Sequence, residues 1–279
     1  MTRPIRTIVA ALASPDAEDY VLFAAMQLAN RADAALQVVQ VVPPPVPPDA
    51  RKEIRRRLEA YVRAHRRRHG IRCHVAFGDP SRELSRFAEE RGADLLVVGS
   101  TRRGKLGRRI LGTTAGRVLR HAHVPVFVVR QPSEPRSRHV LLAIGLSEGD
   151  AHAARLGMGM AEALAPGGPP LFRCLSVVPV ETGDPSLNAD EQMRAGGAEE
   201  LERFIGEQAG PNGRIVARLR AGAPVEQIVT EATEWPADLL VVGTRGGSGP
   251  SRWEMGSVAE RVVRDAPCNV LVVPPPEEA

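Results

Sequence analysis

The stretch Ala93-Asp94-Leu95-Leu96-Val97-Val98-Gly99-Ser100 returns 144 residues later as Ala237-Asp238-Leu239-Leu240-Val241-Val242-Gly243-Thr244. The same offset carries Gly78-x-Pro80 onto Gly222-x-Pro224 and Gly112-Thr113 onto Gly256-Ser257. It also carries Arg117-Val118 onto Arg261-Val262, and Val126-x-Val128-Val129 onto Val270-x-Val272-Val273. A register kept over separate segments marks an internal duplication. Nearer the start of each copy the offset shrinks. Ile8-Val9-Ala10-Ala11 matches Val140-Leu141-Leu142-Ala143 at 132, and Val41-Val42 matches Val177-Val178 at 136. The second copy therefore has longer connections before its third strand. Residues 131–137, polar and carrying two prolines, read as the linker between domains spanning 1–131 and 138–276.

Each copy alternates short apolar runs with amphipathic segments. In the first copy the pattern predicts strands near 6–11, 35–42, 71–76, 94–99 and 125–129, and helices near 17–31, 50–68, 80–91 and 113–122. Unbroken Val and Leu runs suit strands covered on both faces, hence a parallel sheet. Strand–helix alternation with right-handed crossovers gives a doubly wound α/β layer. Ile54, Leu58, Tyr61, Val62 and His65 line one face of the second helix, with arginines on the other. Pro80 and Pro224 fall where a helix tolerates proline, in the first turn.

Composition narrows the class. Hydrophobic residues make up 43% of the 279 and aromatics 4%, so the cores must be aliphatic. No stretch approaches the ~20 apolar residues of a membrane span, and no apolar signal core follows the start. Cys73, Cys174 and Cys268 are too scattered for a disulfide frame or a zinc site. The expectation is a soluble, cytoplasmic protein. Its net charge of +4 hides an asymmetry. Residues 1–136 hold 25 Lys and Arg against 13 Asp and Glu, and residues 137–279 hold 12 against 20. A positive half attracts nucleic acid or acidic partners, including a negative half of the same or a second chain. No recognition motif or aromatic interleaving accompanies the charge, which disfavours nucleic acid.

In an open parallel sheet a ligand sits beyond the carboxyl ends of the strands, where the strand order reverses. The glycines cluster there. The second copy reads Gly243-Thr244-Arg245-Gly246, then nine residues, then Gly256-Ser257-Val258. Gly256-Ser257 opens a helix, whose free N–H groups and dipole attract anions. Taken alone, the spacing fits either plain turns or two walls of a phosphate pocket.

The pattern Gly-x2-Gly-x9-Gly-[Ser/Thr] after a fourth strand resembles the nucleotide-binding motif of the universal stress protein family, ATP-binding branch. Gly243, Gly246, Gly256 and Ser257 match it in full, and the flanking Ala-Asp-Leu-Leu-Val-Val-Gly and Ala-Glu-Arg-Val-Val segments also resemble the family. The resemblance covers nearly the whole chain. It implies two Rossmann-like domains of the adenine nucleotide alpha hydrolase-like type, with sheet order 3-2-1-4-5. It implies ATP, AMP or another adenylate, with Mg²⁺ as companion, at the ends of strands 1 and 4. Val242, Val258 and Val177 would contact the adenine and ribose side. It also implies last strands that meet between domains, giving a pseudo-dimer within the chain and scope for a homodimer.

Two departures weaken the motif. In the first copy Gly99, Gly112 and Thr113 remain, but Arg102 stands where the second glycine belongs. Arg102 either binds phosphate or plugs the pocket. The family's nucleotide binders carry an aspartate at the end of strand 1, and the matching positions here are Ala13 and Gly145.

Other chemistry finds little support. Gly99-x4-Gly104-Lys105 nearly spells a P-loop, but Leu106 replaces its Ser/Thr. The basic run from Arg102 to Arg109 suits a phosphate clamp or a solvated loop. His121-x-His123 reads as a helix-end pair without a metal site. Trp253 suits stacking or packing, and Asp94 and Asp238 read as turn residues. No Ser-His-Asp order or nucleophile elbow stands out. The expectation is a tandem stress-response protein that binds adenine nucleotide in its second domain and is not an enzyme. The alternatives are a partner-binding scaffold without nucleotide, and a nucleotidyl-transfer enzyme of the wider fold group.

Overall fold

The computed structural model describes residues 4–14, 19–65, 70–100, 111–130, 138–179, 197–208, 215–244 and 255–276. The chain divides into two compact units, Arg3–Pro135 and Arg136–Ala279. The first contains β1 (Thr7–Leu12), α1 (Asp19–Ala32), β2 (Ala35–Val42), α2 (Pro48–His65), β3 (Arg72–Phe77), α3 (Pro80–Glu90), β4 (Leu95–Gly99), α4 (Thr113–His121) and β5 (Val126–Val129). The second contains β6 (His139–Ala143), α5 (Glu148–Leu164), β7 (Leu171–Val178), α6 (Ala198–Gln208), β8 (Ile215–Ala221), α7 (Pro224–Glu234), β9 (Leu239–Gly243), α8 (Ser257–Asp265) and β10 (Asn269–Val273). Each element of the first copy lies within about two residues of its predicted bounds. Residues 17–18 and 66–68 of the predicted helices, and the 131–137 linker, lie outside the described residues.

Within each unit the strands pair in parallel in the order 3-2-1-4-5, that is β3-β2-β1-β4-β5 and β8-β7-β6-β9-β10. The pairing register reproduces the repeat offsets. Ile8 faces Leu95 as Val140 faces Leu239, and Ile8 faces Leu36 as Val140 faces Phe172. Val38 faces Cys73 as Cys174 faces Ala217. The offsets 132, 136 and 144 are thus properties of the sheet as well as of the letters.

The core is aliphatic as composition requires. Of the twelve largest fully buried side chains, Phe127 alone is aromatic. Asp94 and Asp238, read as turn residues, hold the starts of strands. Asp94 Oδ2 accepts from the N–H groups of Arg6 and Thr7 at 2.8 and 2.9 Å. Asp238 Oδ2 accepts from Arg138 and His139 at 3.2 and 3.1 Å. Each carboxylate ties the fourth strand to the first across its amino end. His65, placed on the packed face of α2 by periodicity, is exposed instead. It sits in the last turn, where its Nδ1 lies 2.9 Å from the Tyr61 carbonyl.

Helix α5 packs so closely on β9 that Gly157 leaves no room for a side chain, since a Cβ there would overlap Val241 Cγ1. Gly→Ala inside a helix ordinarily adds up to ~1 kcal/mol. Here the sign reverses, and Gly157→Ala should cost about 1–3 kcal/mol through overpacking. Urea unfolding followed by tryptophan fluorescence checks this, because both tryptophans, Trp235 and Trp253, belong to the second copy.

The two domains fill one matching position in opposite ways. In the first, Phe87 on α3 packs against His74, with ring centroids 4.9 Å apart. The Arg91 guanidinium covers the Phe87 ring at 4.9 Å and donates to Gln37 at 3.4 Å. The corresponding residues of the second domain are Glu231 for Phe87, Trp235 for Arg91 and Arg173 for Gln37. Glu231 is 1% exposed. Its carboxylate accepts from Arg173 Nη1 at 2.6 Å and from Arg220 Nε at 2.5 Å, with Arg218 at 3.7 Å. Arg220 also bridges to Glu234. Arg173 in turn lies over the Trp235 ring at 4.4 Å. The guanidinium and the ring have exchanged partners, and a buried ion cluster has replaced an aromatic one. No helix among the described residues is long and apolar enough to cross a membrane.

Candidate functional site

The crevice of the second domain opens at the carboxyl ends of β6 and β9, where β6 pairs with β7 on one side and β9 on the other. Chain order reverses at that point, which is where such sheets bind ligands. Just past β9, the Thr244 N–H donates to the Val273 carbonyl at 3.0 Å, and the Gly256 N–H donates to the Thr244 carbonyl at 2.7 Å. These two bonds hold the start of α8 against the end of β9.

Gly256 is the N-cap of α8 and supplies no side-chain cap. The Glu260 N–H closes on the Gly256 carbonyl at 3.0 Å, so the first intrahelical bond begins there. The preceding N–H groups, of Ser257, Val258 and Ala259, belong to the first turn, which has no intrahelical acceptor to offer them. By contrast α3 is capped by Asp79, whose Oδ1 accepts from Ser81 and Arg82. Helix α5 is capped by a reciprocal box between Ser147 and Asp150. In both domains the helix after the fourth strand is left bare of a side-chain cap. The first domain repeats the staple: Ser100 N–H to Val129 at 3.0 Å and Gly112 N–H to Ser100 at 2.9 Å.

The site residues expected from sequence fall into three groups. Gly243, Gly256, Ser257 and Val258 come together at this junction, with Ser257 exposed and Val258 41% exposed. Val242 is buried in β9 at 4% exposure, so its side chain packs in the core. Val177 lies half-buried near the end of β7, opposite Arg220 of β8. Gly246, Arg102, Trp253 and the basic run from 102 to 109 lie outside the described residues. In the first domain Gly112 and Thr113 mirror Gly256 and Ser257. Gly99 has a packing role of its own, because a Cβ there would sit 2.6 Å from the Tyr20 hydroxyl.

One group escaped the sequence reading. Position 145, at the end of β6, carries no carboxylate, but Asp150 brings one to the same spot from the first turn of α5. A Cβ at Gly145 would lie 3.1 Å from Asp150 Oδ2. That oxygen accepts from Ser147 Oγ at 2.5 Å and from the Ser147 N–H at 3.1 Å, and Asp150 is 4% exposed. The capping-box spacing Ser147-x-x-Asp150 was the available signal. Leu146, between them, has a left-handed backbone with φ of 66°, which costs a residue with a Cβ roughly 1–2 kcal/mol.

The matching corner of the first domain differs. Ala13 carries no carboxylate, and its carbonyl accepts from Gln40 Nε2 at 3.3 Å. Gln40 Oε1 and Ser100 Oγ are buried and have no hydrogen-bond partner among the described residues. Tyr20, over Gly99, corresponds to His152 of the second domain, whose pKa burial and the nearby Arg155 charge both lower.

The buried thiol nearest the second corner is held in its neutral form. Burial, with the Asp150 charge adding to it, pushes the Cys174 thiol up to about 12. No cluster of three His, Cys, Asp or Glu able to hold a metal occurs among the described residues. His123, read as lacking an acidic neighbour, does face Glu89 at 3.6 Å.

The universal stress protein family model matches residues 4–130 and 136–274, one copy for each domain. The chain belongs to the universal stress protein family. A universal stress protein of Mycolicibacterium smegmatis is 27% identical over 212 residues, 74% of this chain and 70% of that one. A universal stress protein of Methanocaldococcus jannaschii is 42% identical over 67 residues, which span 23% of this chain and 39% of that protein's own length. Among solved structures, a functionally unknown protein of Pseudomonas aeruginosa superposes with a TM-score of 0.71 at 19% identity, covering 97% of this chain and 93% of that one. A universal stress protein of Archaeoglobus fulgidus superposes at 0.62 with 18% identity, covering 98% and 97%. Both solved structures share the fold.

Proposed function

We propose that this tandem universal stress protein binds an adenine nucleotide, ATP or a related adenylate with or without Mg²⁺, in its second domain. It acts as a stress-response regulator in the cytoplasm by binding, without catalytic residues of its own. The observation that carries this reading is the uncapped start of α8, held beside the end of β9 by the Gly256–Thr244 bond. Backbone donors at a helix start form a fitting cradle for phosphate, and the glycine spacing leaves backbone free to approach it.

Isothermal titration of the full chain with ATP, ADP and AMP tests the proposal, together with mass spectrometry of ligand released from freshly purified protein. Saturable binding near one site per chain is expected. Absence of both heat and released nucleotide would overturn it, and steady phosphate or pyrophosphate release at enzyme-like rates would favour the nucleotidyl-transfer alternative.

The partner-binding reading is favoured for the first domain. There the Tyr20 packing accounts for Gly99 without a ligand, and Ala13 brings no carboxylate.

A further inference from the structure

Helices α2 and α6 occupy the same place in the repeat, crossing from the second to the third strand of their domains, yet their charges are opposite. Helix α2 carries six Arg and Lys against three Asp and Glu, a net +3. Helix α6 carries four Glu against Arg203, a net −3. Part of each charge is matched locally. Arg56 pairs with Glu53 at 3.0 Å, and Arg203 reaches Glu200 at 4.0 Å. Among the described residues, Lys52, Arg55 and Arg63 on α2 have no ion-pair partner, and neither do Glu199, Glu202 and Glu207 on α6. All six are exposed.

The spacing corresponds as well as the sign. Lys52 and Arg55 are three residues apart, as are Glu199 and Glu202, so each helix sets two like charges one turn apart on its surface. Such pairs repel and weaken the helix that carries them. Among the described residues no ion pair satisfies these four charges, whereas laying one helix on the other sets each pair against its opposite.

We propose that α2 of one chain docks on α6 of a second copy, and α6 on α2 in return, forming a two-fold dimer held by complementary charge. A two-fold operation makes both contacts at once from a single surface pair. A polyphosphate partner fits α2 less well. Asp49, Glu53 and Glu59 interrupt its positive charge, and its one aromatic side chain, Tyr61, already stacks on His65 at 4.5 Å.

Sedimentation of the full chain at about 50 mM and about 500 mM salt tests the proposal, since exposed charge pairs are screened over this range. The dimer should weaken at least about tenfold at the higher salt. Two exposed-residue variants extend the test, Lys52→Glu/Arg55→Glu and Glu199→Lys/Glu202→Lys, with circular dichroism to show that each is folded. Each alone should lose the salt-sensitive association. Mixed in equal amounts they should regain it, because each then offers the charge that the other needs. Association that is identical in wild type and both variants, a monomer at every salt and concentration, or a mixture that stays unassociated would each overturn the proposal. So would a mixed-sequence DNA duplex that binds wild type and the α6 variant but not the α2 variant while no dimer forms, because α2 would then serve a polyanion.

Discussion

Replacing Glu231 with alanine should destabilise the second domain by about 3–5 kcal/mol, the usual loss when one member of a buried ion cluster is removed. A domain commonly has about 5–15 kcal/mol in total, so the variant approaches unfolding at physiological temperature. The cause is what stays behind. Arg173 and Arg220 are 24% and 17% exposed at their side chains. Without the Glu231 carboxylate Arg173 loses its carboxylate partner and Arg220 keeps only Glu234, leaving two neighbouring cations with little water around them. Arg173 is already poorly served, because its Nε is buried and unpartnered among the described residues. Glu231→Gln keeps one acceptor and should lose less. Replacing Arg173, Glu231 and Arg220 together by Met, Leu and Met should recover most of the loss, since no isolated charge then remains.

The same cluster makes the second domain acid-sensitive. Burial by itself raises the Glu231 pKa, and hydrogen bonds from Arg173 and Arg220, with their charges, override it and hold the carboxyl below the usual glutamate range. A depressed folded pKa means that the unfolded state takes up the proton first. The stabilisation is therefore complete above the unfolded value of about 4.3 and is lost as pH falls through the folded value. Tryptophan fluorescence reports this domain alone. Glu231→Gln should flatten the decline in stability below about pH 4.3. A Glu231→Ala unfolding midpoint equal to that of wild type would mean that the cluster is solvated and the argument void. At the same position the first domain relies on Arg91 over Phe87, which has no carboxylate to protonate.

The difference between these two positions also explains what the sequence could reveal. The repeat, the parallel pairing and nearly every boundary of the first copy were legible because they depend on apolar runs, and a strand covered on both faces cannot hide its composition; the strand order 3-2-1-4-5 came from the family resemblance alone. Glu231 was not legible. It sits inside an amphipathic helix, where a lone glutamate reads as a solvent-facing residue, and its partner Arg173 lies 58 residues away on another strand. The alternation of Arg218 and Arg220 along β8 was the one local hint, since alternate residues of a strand share a face. His65 failed for the complementary reason: periodicity assigns a face but does not say where the sheet beneath it ends. The candidate site divides in the same way. Glycine spacing pointed to the junction of β9 and α8, while Asp150 required knowing that Gly145 leaves space for a carboxylate arriving from the next helix.

Ser257→Glu should abolish most nucleotide binding while leaving the second domain as stable as before, or slightly more stable. An acidic residue in the first turn is favourable to a helix, so a folding defect is not expected to confuse the result. A carboxylate at the same place competes for the free N–H groups of α8 and repels phosphate oxygens. Losing two charge-assisted bonds of about 1.5–3 kcal/mol each lowers affinity for ATP by on the order of 100-fold or more. Ser257→Ala removes only a hydroxyl and should cost far less. Adenosine provides the control, because it has no phosphate: its binding should be nearly the same in wild type and Ser257→Glu. The matched change in the first domain, Thr113→Glu, should leave ATP affinity almost untouched if the second domain holds the working site. Equal losses for adenosine and ATP would show that the carboxylate disturbs the crevice as a whole and that phosphate is not recognised at the start of α8. An unchanged ATP affinity would place the anion elsewhere, and the bare helix start would then be a turn with no ligand to serve.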